Sequence, residues 1–285
     1  MKQLNITEFK KLYPTEKACL DEIFDRVYGD LTVCPSCETE TKWSHVTGRK
    51  CYACQWCGFQ VFPLAKTPLK DSKISLELWF FAILLFSNSK NGVSAKELQR
   101  QLGVSYKTAF RVGHVIRGMM DESGEVVLSG DVEMDESAFG GKKEGKRGWG
   151  SENKTCVFGM VERGGDIVAK VVPNRKRKTL FPIIVEHTTE EAAVHTDDFK
   201  VYNTIGKEVA AHFVVNHSAG EHVAGPNGHY HTQTIDGFWS IMKRSIRGTH
   251  VAVSPHKLQN YLNEFTFRRN HRTEQLFFAV LDRVS

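Results

Sequence analysis

The sequence has no long hydrophobic run. Its longest apolar stretch, Ile74 to Phe86, spans about thirteen residues and includes Glu77, too short to cross a bilayer. The opening residues, MKQLNITEFKKLYPTEKA, lack the apolar core of a secretory signal. Internal repeats and low-complexity tracts are also missing, which excludes solenoids and disordered linkers as the dominant architecture. No strong charge bias is present. A net charge of +5 permits a polyanionic partner without demanding one. Cysteine is scarce outside one short stretch: of seven in all, only Cys19 and Cys156 fall outside residues 34–57. An odd and clustered set does not suit a secreted disulfide scaffold. These absences together predict a reducing, cytoplasmic setting with no membrane contact, in which grouped cysteines bind metal.

A chain of 285 residues, two-fifths apolar, has room for one large domain or two or three small ones. Residues 1–30 read as a helical lead-in, 31–65 as a Cys-rich module, and 71–122 as helices. Residues 126–275 read as an α/β domain, and 276–285 as a tail. Inside the α/β segment, Gly130–Met134, Thr155–Val161, Ile167–Val172 and Ala193–Thr196 have strand composition, with a helix over Lys178–Glu186. Residues 230–285 return to helix. The Gly/Lys-rich piece Gly140–Gly150 lacks apolar periodicity and reads as a mobile loop.

Cys34-Pro-Ser-Cys37 and Cys54-Gln-Trp-Cys57 form two CxxC pairs sixteen residues apart. That arrangement suits a tetrahedral Cys₄ zinc ribbon whose metal supplies folding energy. Cys51 creates an overlapping pair, Cys51-Tyr-Ala-Cys54. The Gly58-aromatic turn favours Cys54 and Cys57 as ligands and leaves Cys51 as a core or spare thiol. Further on, residues 94–112 read as a helix-turn-helix. Ser94 and Glu97 offer a capping box, Gly103 the positive φ of the turn, and Ser105 the next N-cap. Ala109, Val112 and Ile116 give the second helix an apolar stripe. Tyr106, Lys107 and Arg111, with Phe110, lie on the face that would enter a DNA groove. Gln99 occupies a position where many such motifs keep a small residue, so a plain helical hairpin stays open as the other reading.

Several carboxylates follow. On a strand with Val132 and Met134 facing inward, Asp131, Glu133 and Asp135 share the opposite face. Val194-His-Thr-Asp197-Asp198 ends a second strand. Thr234-Ile-Asp236 opens a helix on which Lys243 lies two turns away, on the same face. Two strand-borne acids and one helix-borne acid are what two-metal phosphoryl transfer needs, with Mg²⁺ as the suitable ion. Lys243 and Arg244 then stand beside the phosphate backbone. His229 and His231 read as exposed loop histidines rather than metal ligands. Phe238 and Trp239 read as core residues of the helix. Arg268, Arg269 and Arg272 read equally well as a solvated face or a phosphate-contacting strip.

The ordered blocks VSAKELQRQLGVSYKTAFRV, VEMDESAFGG, FGMVERGG, HTDD, HTQTIDGFWSIMKRSIRGTH and YLNEFTFRRNHR resemble the IS1595 family of insertion-sequence transposases, with its ISXO2-like catalytic domain. The resemblance covers roughly residues 30 to 272. It implies an RNase H-like core with an acidic triad and two catalytic Mg²⁺ ions, behind a zinc ribbon and a helix-turn-helix. Asp135 matches the family's first acid and Asp197 its second. The third position, commonly Glu or Asn, falls on Asp236 or Gln233. Lys243 matches the lysine that follows. His217 and His231 also fall where the family tends to carry histidine.

The expected function is therefore DNA transposition. The protein would bind the terminal inverted repeats through Tyr106, Lys107, Arg111, Lys243, Arg244 and Arg247. It would cleave and join DNA with Asp135, Asp197 and Asp236, as a homo-oligomer on paired ends. Three other functions stand beside it: a catalytically impaired or domesticated DNA-binding derivative, an RNase H-like nuclease that cuts without joining, and, least favoured because residues 126–285 would have no task, a regulator built only from the ribbon and the helix-turn-helix.

Overall fold

The computed structural model describes residues 2–141, 154–202, 205, 209–215, 223, 225 and 229–284. Most of the Gly/Lys-rich piece, and His217, lie outside the described residues. The chain forms two compact units, Met1–Met120 with His271–Ser285, and Asp121–Asn270. No described helix is long and apolar enough to cross a membrane.

The first unit is mainly helical. Helix α1 (Ile6–Leu12) opens on a capping box between Asn5 and Glu8, and α2 (Glu16–Tyr28) is capped by Thr15. Three short antiparallel strands follow: β1 (Trp43–His45), β2 (Tyr52–Cys54) and β3 (Gln60–Val61). Phe24 of α2 packs against Tyr52, whose hydroxyl donates to Asp21. The apolar run becomes α3 (Leu76–Asn88), with Trp79, Phe80, Ile83 and Phe86 all buried. The period of its side chains is helical, but both of its faces are covered, so it is a core helix.

Helices α4 (Ala95–Leu102) and α5 (Tyr106–Met119) follow, joined through Gly103 at φ +66°. The side chain of Ser94 accepts from the Glu97 amide as expected. The Glu97 carboxylate goes to Arg100 and Gln101 instead of back to Ser94, so half of the capping box is present. The close approach of α4 and α5 falls at Gly113, where a Cβ would lie 3.2 Å from Leu98. Gln99 is therefore not asked to be small. Residues 276–285 hold a further helix, numbered last below, and its Phe277 meets Phe9, Tyr13 and Phe80.

The second unit is built on a mixed five-stranded sheet. Its strands are β4 (Asp131–Phe139), β5 (Thr155–Glu162), β6 (Ile167–Val172), β7 (Ala193–Asp197) and β8 (Ala211–Val215), ordered β6-β5-β4-β7-β8. The first three run antiparallel, while β4–β7 and β7–β8 are parallel. One face packs Val132, Met134, Phe158, Met160 and Val194 against α6 (Arg177–His187). The other packs Val157, Val161 and Ala169 against α7 (Gln233–Ser245) and α8 (Leu258–Asn270). Strict alternation along β4 sends Val132 and Met134 to the α6 side, with Glu136 meeting Tyr202 there, and leaves Asp131, Glu133 and Asp135 facing α7. Helix α9 (Leu276–Leu281) completes the chain, in the first unit. The mixed sheet with helices on both faces is consistent with an RNase H-like core.

Candidate active site

β4 is the central strand, and three of its acids share one face. In the parallel ladder Asp131 is level with Ala193 and Glu133 with His195. Continuing that register by two residues brings Asp135 level with Asp197, at the end of β7. Helix α7 crosses the same face and carries Asp236 in its first turn. Three elements separated by dozens of residues thus deliver Asp135, Asp197 and Asp236 to one place.

Their proximity is written in the ionisation of Asp135. Burial, then the neighbouring anions Glu136, Asp236 and Asp197, push its carboxyl up to about 7. Burial likewise raises Glu136 to about 7, although Tyr202 and Arg175 favour its charged form. Buried carboxylates with anionic neighbours favour either a shared proton or a cation. Lys243 stands within electrostatic reach of both Asp135 and Asp236. Burial lowers its pKa and the two anions oppose that shift. Gln233 is the first residue of α7 and exposed; Asp236, not Gln233, is the side chain whose charge acts on Asp135.

Two residues hold this geometry that sequence reasoning did not single out for it. Trp239, expected in the core, is buried. Its indole Nε1 also donates to Asp135 Oδ2 at 3.0 Å. Glu133, fully buried, is the anchor of α7. Its carboxylate accepts from the Thr234 amide (2.7 Å), the Thr234 hydroxyl (2.8 Å) and the Ile235 amide (3.1 Å). Arg163 Nε donates to it as well, at 2.8 Å. A carboxylate on the free amides of a helix N-terminus is stabilised by hydrogen bonds and dipole together. The one sequence signal for this role is the alternation that puts Glu133 beside Asp135.

The histidines read as exposed loop residues also meet carboxylates. His231 Nδ1 lies 3.1 Å from Glu133 Oε1, and His229 Nε2 lies 3.3 Å from Asp131 Oδ1. Arg268 pairs with buried Glu264 at 2.9 Å, so this arginine of the late basic cluster is engaged within α8.

With this geometry in place, comparison with known proteins is direct. Residues 127–270, half of the chain, match the family model of the ISXO2-like transposase domain. The chain belongs to this transposase family. It is also 34% identical over 114 residues to an uncharacterized transposase-like protein of Haemophilus influenzae, an alignment covering 40% of this chain and 89% of the relative. The matched region is nearly the whole second unit. Membership implies a nuclease or transferase role, with DNA as the partner.

The transposase has two tight groups of potential metal ligands among the described residues: Cys34, Cys37, Cys54 and Cys57, and Asp131, His195 and His229. The cysteines fit zinc. Cys34 and Cys57 Sγ are 3.6 Å apart, and Cys37 and Cys54 Sγ 3.8 Å. A tetrahedron with Zn–S bonds of about 2.3 Å has edges of about 3.8 Å. Thr41 Oγ1 lies 3.2 Å from Cys54 Sγ, and the Trp56 amide donates to the same sulfur at 3.4 Å. Cys51 is fully buried outside this group, 3.6 Å from Gln60 Oε1. The cluster can hold zinc, and it brings together Cys34, Cys37, Cys54 and Cys57.

Asp135, Asp197 and Asp236 are more widely spread than those groups. Two ions about 3.5–4 Å apart, each bound at about 2.1 Å, suit acids up to about 8 Å apart. The hard oxygen donors fit Mg²⁺. On the transposase's other unit, Lys107 and Arg111 are exposed on α5 beside Tyr106 and Phe110. Lys96 sits over the Tyr106 ring, 5.0 Å from its centroid. Lys243, Arg244 and Arg247 line an open groove along α7.

Proposed function

We propose that this transposase cleaves the ends of an insertion sequence and joins them to target DNA, using Asp135, Asp197 and Asp236 as its acidic triad. The observation that supports the reading is the convergence of one acid from each of three elements, β4, the end of β7 and the first turn of α7, around Asp135, whose carboxyl is raised first by burial and then by Glu136, Asp236 and Asp197. Two Mg²⁺ ions held there would activate the attacking water or 3′-hydroxyl and stabilise the leaving oxygen. Trp239 holds one oxygen of Asp135 in place. Glu133 fixes the start of α7 and therefore the position of Asp236. Lys243, with Arg244 and Arg247, supplies positive charge for the phosphates flanking the cut.

Helices α4 and α5 are taken as a helix-turn-helix that reads the terminal repeat through Tyr106, Lys107 and Arg111, with the zinc ribbon as a second DNA-binding module. Synapsis of two ends calls for at least two copies in the active complex. A derivative that only binds DNA would have no use for acids crowded at this energetic cost, so catalysis is preferred. The test is Mg²⁺-dependent joining of a labelled terminal-repeat oligonucleotide. Asp135→Ala, Asp197→Ala and Asp236→Ala should each abolish it, while Gln233→Ala retains it. Joining that survives in Asp135→Ala or Asp236→Ala would overturn the assignment.

A further inference from the structure

We propose that Asp131, His195 and His229 form a second zinc site, separate from the ribbon and from the Mg²⁺ centre, which fastens the segment ahead of α7 to the sheet. The three ligand atoms lie within 4.8 Å of one another. Asp131 Oδ1 is the shared vertex: His195 Nε2 is 2.7 Å from it and His229 Nε2 3.3 Å. Ligands at about 2.1 Å in a tetrahedral zinc site are about 3.4 Å apart. The His229 edge already has that length. The His195 edge must open by about 0.7 Å on the same scale.

The site is built rather than incidental. Asp131 starts β4, His195 sits within β7, and His229 precedes α7, so three separate segments converge. The two imidazoles meet nearly at right angles, 77° between planes. His195 is completely buried, which holds its Nε2 against Asp131. Phe213 and Tyr230 stack at 4.2 Å and wall the His195 ring on one side. An apolar wall of this kind shields a metal from water. The backbone of His229 is fixed independently, because Arg163 donates to its carbonyl at 2.7 Å and to that of His231 at 2.8 Å. Glu133 in turn holds Arg163.

Ligand chemistry selects the ion. Two imidazoles and one carboxylate favour zinc strongly over Mg²⁺, which prefers oxygen alone. Three protein ligands leave one position open, on the side of half-exposed His229. Bound zinc would tie β4 and β7 to the chain four residues before Gln233. It would therefore act on Asp236 by position and not by chemistry. None of this depends on the transposition reading.

The experiment is metal analysis of the full chain, loaded with zinc and desalted into millimolar Mg²⁺. Two zinc ions per chain are expected. His229→Ala and Asp131→Asn should each hold one, and Cys57→Ser should lose the other. His229 is half-exposed, so its variant keeps the fold, and a urea melt checks this. With cobalt, the ribbon equivalent should show thiolate-to-metal charge transfer and the second equivalent none. One zinc per chain in the wild type with the ribbon filled would overturn the proposal. So would a second equivalent that survives in His229→Ala, or one that carries the thiolate band.

Discussion

Replacing Gly159 by alanine tests whether packing between sheet and helix fixes the first acid. Gly159 stands directly opposite Asp135 in the β4–β5 ladder. A Cβ there would lie 2.5 Å from Trp239 Cζ2, 2.7 Å from Cη2 and 3.1 Å from Ile235 Cδ1. Carbon atoms reach favourable contact near about 3.5 Å, so the indole must retreat by about 1 Å. Trp239 is only 3% exposed, and its surroundings have to yield with it. Overpacking of this kind costs about 1–3 kcal/mol. The same retreat stretches the 3.0 Å bond to Asp135 beyond hydrogen-bonding range. A hydrogen bond to a charged group is worth about 1.5–3 kcal/mol. Because about 1.4 kcal/mol is tenfold in rate, end cleavage should fall by roughly 10- to 150-fold. Trp239→Phe separates the two effects, since it keeps most of the ring and removes the donor. It should lose activity with a smaller change in stability. Urea denaturation and Mg²⁺-dependent cleavage measure both. A Gly159→Ala protein as stable and as active as wild type would refute the steric argument. Full activity in Trp239→Phe would remove the hydrogen bond from it.

Three further outcomes are expected. Asp135 has a folded pKa near 7 against an ordinary 3.8, so the folded state holds its proton more tightly than the unfolded state does. That contribution is present below about pH 4 and is lost as pH rises towards 7. Metal-free Asp135→Asn should thus gain stability over wild type across that window, seen as a widening gap in thermal melts. Added Mg²⁺ should stabilise wild type at pH 8 and not the variant, and equal melts at every pH would contradict the shift. Cys54→Ser should release the ribbon zinc while Cys51→Ser retains it, as read by metal analysis. Loss of zinc in Cys51→Ser would reassign the ligands. Lys107→Ala and Arg111→Ala should each weaken terminal-repeat binding and lower the salt slope by about 1 per lost phosphate contact. Unchanged binding in the double variant would leave α4 and α5 as a plain hairpin.

The parts of this protein legible in sequence are those with local signals. Ile167–Val172 is dense in β-branched residues and forms β6 with those bounds. The paired CxxC spacing led to the four sulfurs that the fold brings together. Alternation in Asp131–Asp135 correctly assigned faces, because a strand has only two. What stayed hidden depends on contacts made across the sheet. Strand β8 is short and includes His212, whose Nε2 meets Thr196 Oγ1 at 2.9 Å, a partner invisible in sequence. Glu133 looked like one more acid in an acidic run until the N-terminus of α7 supplied its donors. Asp131, His195 and His229 are 64 and 34 residues apart in turn, and no local pattern joins them.

Helix α9 has a consequence for how the molecule is made. Phe277 fills the space between Phe9, Tyr13 and Phe80, so the core of the first unit needs residues from both ends of the chain. Domains ordinarily fold in the order in which they leave the ribosome. Here residues 121–270 are made before Phe277 exists, so the second unit has all its strands while the first unit still waits for its last aromatic side chain. The helical core begun first is therefore finished last. A chain truncated after residue 270 would leave Phe9, Tyr13 and Phe80 without the ring of Phe277, an open aromatic core in the first unit on which chaperone capture would be concentrated.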